Sequence, residues 1–88
     1  MAWYPNAIRK LAAHGIARRE VGEMIARDAW IPSRHPDYPE QVRIIGPTRS
    51  GRLVTVVLAA TGRPTAWRPV TGWPADARET AYYYSETQ

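Results

Sequence analysis

The stretch Val42-Arg43-Ile44-Ile45-Gly46-Pro47-Thr48-Arg49-Ser50-Gly51-Arg52-Leu53-Val54-Thr55-Val56-Val57-Leu58-Ala59-Ala60 is where the chain changes its hydrophobic period to two. Val42 and Ile44 alternate with Arg43 and Ile45 up to Gly46-Pro47, which reads as a strand. Thr48 to Gly51 is a hairpin turn, with Gly51 free to take a positive φ. Arg52 to Ala60 is rich in Val and Leu at both parities, the mark of a central strand covered on two sides. Thr61-Gly62-Arg63-Pro64 turns the chain again, and Thr65 to Thr71 forms a third strand. Pro69 has no N–H to give a ladder, so that strand belongs at an edge, or residue 69 sits where no bond is needed. Three strands joined by two short turns make an antiparallel meander.

The flanks of the meander read as helices. Pro5 suits a first helical turn, Ile8, Leu11 and Ala12 repeat at helical spacing, and Gly15 is a candidate left-handed end. Val21, Met24, Ile25 and Ala29 form a second apolar stripe, with Arg18, Arg19, Glu23 and Arg27 on its wet side and Pro32 as its stop. Ala17 stands where a capping oxygen belongs, although Glu20 follows three residues on. Residues 32–40 carry three prolines and no periodicity and read as a surface loop. After the meander, Asp76 and Glu79 have capping-box spacing for a last helix. Tyr82, Tyr83 and Tyr84 are about 100° apart on that helix, so at least one is core and at least one lies near solvent. The fold class is α+β: two N-terminal helices, a three-stranded antiparallel meander and a C-terminal helix, in one domain spanning residues 1–88.

Length and composition set limits. A chain of 88 residues has room for one small domain. It has no cysteine, which excludes a disulfide framework, a thiolate metal site and a cysteine nucleophile, and makes a cytoplasmic address the expectation. No apolar run approaches the roughly 18 residues of a membrane span. His14 and His35 have no clustered carboxylates, and the glycines are scattered at turns, so neither a metal, a phosphate loop nor a cofactor is expected.

Charge is informative once mapped. Residues 41–72 hold Arg43, Arg49, Arg52, Arg63 and Arg68 with no acid, whereas the rest of the chain carries seven basic and eight acidic side chains. Arginine forks match phosphate or carboxylate oxygens two at a time, so this segment is either a solvated face or an anion-binding surface.

His14-Gly15-Ile16, Glu20-Val21 and Asp28, then a meander, then Arg68-Pro69-Val70-Thr71-Gly72-Trp73-Pro74-Ala75-Asp76-Ala77-Arg78-Glu79 with tyrosines at 82–84, resemble the BrnT-like branch of the RelE/ParE toxin superfamily. His14 and Gly15 match that branch's Lys-His-Gly-Val stretch. Arg68, Ala75, Glu79 and Tyr83 match its arginine strand end and Glu…Tyr helix. Trp73 stands where the branch has a second arginine, Pro69 where it has an aliphatic residue, and Ala13 where a lysine often precedes the histidine.

The resemblance implies a bacterial toxin-antitoxin protein that cuts RNA without metal, in some cases at the ribosome, and is silenced by an antitoxin. Such cleavage needs a base for the ribose 2′-OH, a cation for the phosphate and an acid for the leaving 5′-oxygen. Arg68, Glu79, Tyr83 and His14 are the catalytic candidates, and Arg43, Arg52 and Arg68 the phosphate-binding ones. Trp73 and Trp67 are candidate anchors for a partner protein, Trp73 because Pro74 fixes it on a strand-to-helix corner. Each has a structural alternative: Glu79 as a capping residue, His14 as a helix end, Tyr83 as core, Arg68 as half of an ion pair with Glu79 or Asp76. Hence the alternative function, a non-enzymatic protein-binding module, either an inactive toxin relative or a ParE-like inhibitor.

Overall fold

The structure is a computed structural model and describes residues 3–33, 40–63 and 66–88. Helix α1 spans Pro5–Ala13. It ends where the sequence says it should: Gly15 takes φ +76°, and the N–H groups of Gly15 and Ile16 reach back to the carbonyls of Ala12 and Leu11 at 2.9 Å. That is a Schellman turn, and its characteristic apolar contact is supplied by Leu11 and Ile16, both buried in the core. Helix α2, Arg18–Arg27, starts at Ala17. Alanine has no side-chain oxygen, so only the return half of a capping box forms, with Glu20 Oε1 accepting the Ala17 N–H at 3.0 Å. The helix stops earlier than its apolar stripe suggests, because Asp28 turns left-handed at φ +53° and leaves Ala29 outside.

The sheet has four strands in the order β1-β2-β3-β4, all pairs antiparallel. They are β1 Ile31–Pro32, β2 Gln41–Pro47, β3 Leu53–Ala60 and β4 Trp67–Pro74, followed by helix α3, Ala77–Thr87. The meander is as expected, but the expected count of three strands is corrected to four. Ile31 pairs with Ile45 and Pro32 with Ile44, and the Ser33 N–H bonds the Arg43 carbonyl at 2.7 Å. Proline is tolerated there because β1 is an edge strand. The loop expected over 32–40 therefore begins one residue later, and residues 34–39 lie outside the described residues. Strand β4 is the other edge and absorbs Pro69 opposite Leu58, with a bulge that leaves Val70 without a partner. It runs three residues beyond the expected end at Thr71.

Helices α1 and α2 lie on one face of the sheet. Leu11, Ile16, Val21 and Met24 meet Ile44, Val54, Val56 and Leu58 there, with Trp3, Ile25, Trp30 and Val42 at the margin. Two glycines permit this approach. A side chain at Gly46 would run into the Trp30 backbone at 2.9 Å, and one at Gly72 would meet Leu11 Cδ2 at 2.8 Å. The opposite face carries Ile45 and Thr55, both fully buried, and α3 crosses it, placing Tyr83 inside and Tyr84 outside. Both faces of β3 are thus covered, as its Val/Leu-rich run at both parities requires.

Candidate functional site

The register places Arg43, Val57 and Thr71 in one row across β2, β3 and β4, and Ile45, Thr55 and Trp73 in the next, on the face that α3 shares. Trp73 is near the end of β4, and Pro74-Ala75-Asp76 turns the chain directly into α3. The corner brings Glu79 under the indole, so that Trp73 Nε1 donates to the Glu79 carboxylate at 2.9 and 3.2 Å. Glu79 also accepts the Asp76 N–H at 3.0 Å, while Asp76 Oδ1 accepts the Glu79 N–H at 2.8 Å. This is a complete capping box with an indole added to it. The Arg43 guanidinium carbon lies 4.9 Å from the centroid of a Trp73 ring, a cation–π contact worth roughly 0.5–1 kcal/mol at such a half-open position. The result is a chain Arg43–Trp73–Glu79 on one face of the sheet.

The other candidates go elsewhere. Arg52 donates to both Glu20 oxygens at 2.8 and 2.9 Å and to the Gly15 carbonyl at 2.9 Å, tying the α1–α2 turn to the start of β3. Glu20 is held below its ordinary carboxylate value, chiefly by the Ala17 N–H and then by Arg52, against an opposing effect of burial. Arg52 is therefore a neutralised structural cation, not an open phosphate site. Arg68 pairs in register with Ala59 at the far end of β4, and its guanidinium carbon sits 5.1 Å from the centroid of the Tyr4 ring. Five residues of strand separate it from Trp73, on the order of 16 Å. The expected ion pair of Arg68 with Glu79 or Asp76 is not found among the described residues. Tyr83 is 8% exposed, and its hydroxyl donates to the Ala29 carbonyl at 2.7 Å. His14 is the exposed C-cap of α1, beside the Gly15 whose carbonyl Arg52 holds. Of the two expected anchors, Trp67 is exposed at the start of β4, whereas Trp73 lies half-buried beneath Arg43 with its N–H engaged.

Arg68, Glu79, Tyr83 and His14 are thus not brought to one point. The capping role of Glu79 was legible in its spacing from Asp76. Its bond to Trp73 was not, because it depends on the angle of the β4–α3 corner. His35 lies outside the described residues, among which no group of three or more His, Asp or Glu side chains is placed to hold a metal ion. Among the same residues, no helix is long and apolar enough to cross a membrane. No protein-family model matches the chain, and no curated protein matches it either.

Proposed function

We propose that this chain is a toxin-type domain of RelE-like architecture that works by holding an acidic partner polypeptide of the antitoxin kind on its Arg43–Trp73 face, rather than by cutting RNA. The observation that carries this reading is the dispersal of the proton-transfer groups. The Tyr83 hydroxyl points into the fold, His14 caps a helix on another element, and Glu79 already receives two backbone or indole N–H donors. A general acid and base must both come within about 3 Å of one reacting phosphate, and these residues do not converge on such a place. A cation over an indole is a common protein-recognition anchor, since Arg and Trp are enriched at the centres of interfaces. No carboxylate of the described residues pairs with Arg43, so its guanidinium is left to meet a negatively charged segment.

A second reading rests on a separate observation: Arg43, Trp73 and Glu79 share one face. In a ribonuclease, Arg43 would hold the phosphate, Trp73 would stack a base, and Glu79 would take the 2′-OH proton as that oxygen attacks phosphorus, while water gives a proton to the 5′-oxygen as its bond to phosphorus breaks. One experiment separates the two. Purified protein is incubated with single-stranded RNA in chelator, and the induced protein is tested for growth arrest as wild type, Arg43→Ala and Trp73→Ala. The binding reading expects intact RNA and an effect on cells that both substitutions remove. RNA ending in 2′,3′-cyclic phosphate, with the activity lost in Glu79→Gln, would overturn it.

A further inference from the structure

A second positive site lies at the β4 edge, apart from the Arg43–Trp73 contact. A cleft of about 490 Å³ opens between the first turns of α1 and the edge strand β4, lined by Tyr4, Asn6, Arg9, Lys10, Arg68 and Val70 together with Pro5 and Ala7. This volume is in the range of small-ligand sites. Three of its lining residues are cations and none is an acid. Two of the cations are positioned by neutral neighbours rather than neutralised. Arg9 donates to Asn6 Oδ1, and Arg68 lies over the Tyr4 ring at 5.1 Å. Among the described residues neither they nor Lys10 forms an ion pair. Three cations drawn to one concavity, with no carboxylate of the described residues beside them, repel one another, a cost that an anion seated between them removes.

The aromatic residue narrows the class of anion. Tyr4 is 52% exposed although it lines the cleft, and the guanidinium of Arg68 lies over one face of its ring. An exposed ring braced by an arginine and set beside fixed cations is the arrangement that takes a base by stacking and its phosphate by charge. The first turn of α1 adds to the positive field, since Tyr4 offers no side-chain cap and the turn holds no acid. We propose that this cleft is a nucleoside-phosphate site, in which Arg9, Lys10 and Arg68 take the phosphate and Tyr4 stacks on the base. Inorganic phosphate would use the cations alone. A free nucleotide and one unit of a single strand share the full chemistry. The site is independent of the partner-holding role of Arg43 and Trp73.

The test uses the full chain with three probes, namely inorganic phosphate, uridine 5′-monophosphate and a short oligouridylate, followed by backbone NMR shifts and fluorescence anisotropy. Saturable shifts at Tyr4, Lys10 and Arg68 are expected with both nucleotide probes. Replacing Lys10→Gln and Arg68→Gln together should weaken all three probes by about tenfold or more, as loss of charge-assisted bonds implies. Tyr4→Ala should weaken the nucleotides about fivefold or more while leaving inorganic phosphate unchanged. Tighter binding of the oligouridylate than of the monophosphate would identify a strand as the source, and equal binding a free nucleotide; both support the site. All three substitutions are surface changes, and unchanged circular dichroism controls for folding. The proposal is overturned if the double variant binds every probe as wild type does, if shifts appear only away from the cleft, or if an acidic peptide without phosphate occupies it more tightly. Because these probes report on Tyr4, Lys10 and Arg68, their failure is read separately from a failure at Arg43 and Trp73.

Discussion

Removing the Arg52–Glu20 contact tests whether Arg52 serves the fold or a ligand. Arg52→Ala loses two charge-assisted bonds to Glu20 and one to the Gly15 carbonyl. The Arg52 side chain is 38% exposed and that of Glu20 16%, so the ion pair is discounted to about 0.5–1 kcal/mol for solvent screening. The carbonyl bond adds a similar amount, giving about 1–2 kcal/mol in all. Glu20→Ala loses the same pair together with the bond to the Ala17 N–H, and costs about 1.5–2 kcal/mol. The double variant should therefore lose less than the sum of the two, with a coupling of about 0.5–1 kcal/mol. Urea unfolding at neutral pH reads these values as midpoint shifts, with about 1 kcal/mol moving the midpoint by roughly 1 M for a domain this small. The coupling also has a predicted pH limb. The folded-state value of Glu20 is lowered, so its stabilisation is complete above the unfolded carboxylate pKa of about 4.3 and disappears as pH falls through the lower, folded value. Arg52→Ala should shrink that acid limb without removing it, because the bond from the Ala17 N–H remains. Strict additivity of the two substitutions, within about 0.3 kcal/mol, would refute the reasoning, and Arg52 would return as an open cation.

Three further substitutions probe the packing that positions the site. Thr55 is fully buried and its Oγ1 finds no hydrogen-bond partner among the described residues; Thr55→Val should raise stability by about 1 kcal/mol, seen as a thermal midpoint roughly 4–8 °C higher, and a lower midpoint would mean the hydroxyl has a partner. Tyr83→Phe removes the donor to the Ala29 carbonyl and should cost about 1–2 kcal/mol in chemical denaturation while leaving the growth phenotype intact. Loss of that phenotype in a folded Tyr83→Phe protein would return the hydroxyl to the functional site. Gly46→Ala places a Cβ 2.8 Å from Trp30 Cβ and should cost about 1–3 kcal/mol, readable in a red-shifted tryptophan emission as the indole is displaced.

Which parts were legible in the sequence follows from the range of the interactions. The Gly15 end of α1 and the Asp76–Glu79 start of α3 are made by residues within five positions of each other, and both are present as the spacing predicts. The covered strand β3 announced itself by its apolar run. Strand β1 did not, because two residues ending in proline carry no period, and its pairing with Ile44 and Ile45 is purely tertiary. The same holds for the site. Arg52 meets Glu20 across 32 positions of sequence, and Arg68 turns to Tyr4 because the bulge at Val70 and the approach of α1 set its surroundings.

The run of arginines in residues 41–72 shows why charge contiguous along a chain is not contiguous in space. A meander of strands seven and eight residues long separates its ends by about 25 Å. Arg52 stands at one end of β3, where Glu20 meets it, and Arg68 pairs near the other. Arg43 and Arg68 are two strands and one same-face step apart, about 12 Å between Cα atoms. Each then leans on a different aromatic, Arg43 on Trp73 and Arg68 on Tyr4. Arg49 sits on the hairpin, whose backbone is bonded to Glu23 of α2. At a Debye length of about 8 Å in physiological salt, cations 12 Å apart act on a ligand almost separately. In place of the single positive cavity expected of a metal-free ribonuclease, the described residues form two separate arginine–aromatic contacts, one of them in a cleft. Such a pair of sites suits a domain that holds two different anionic ligands, and it predicts that salt should weaken each with its own modest slope rather than one steep common one.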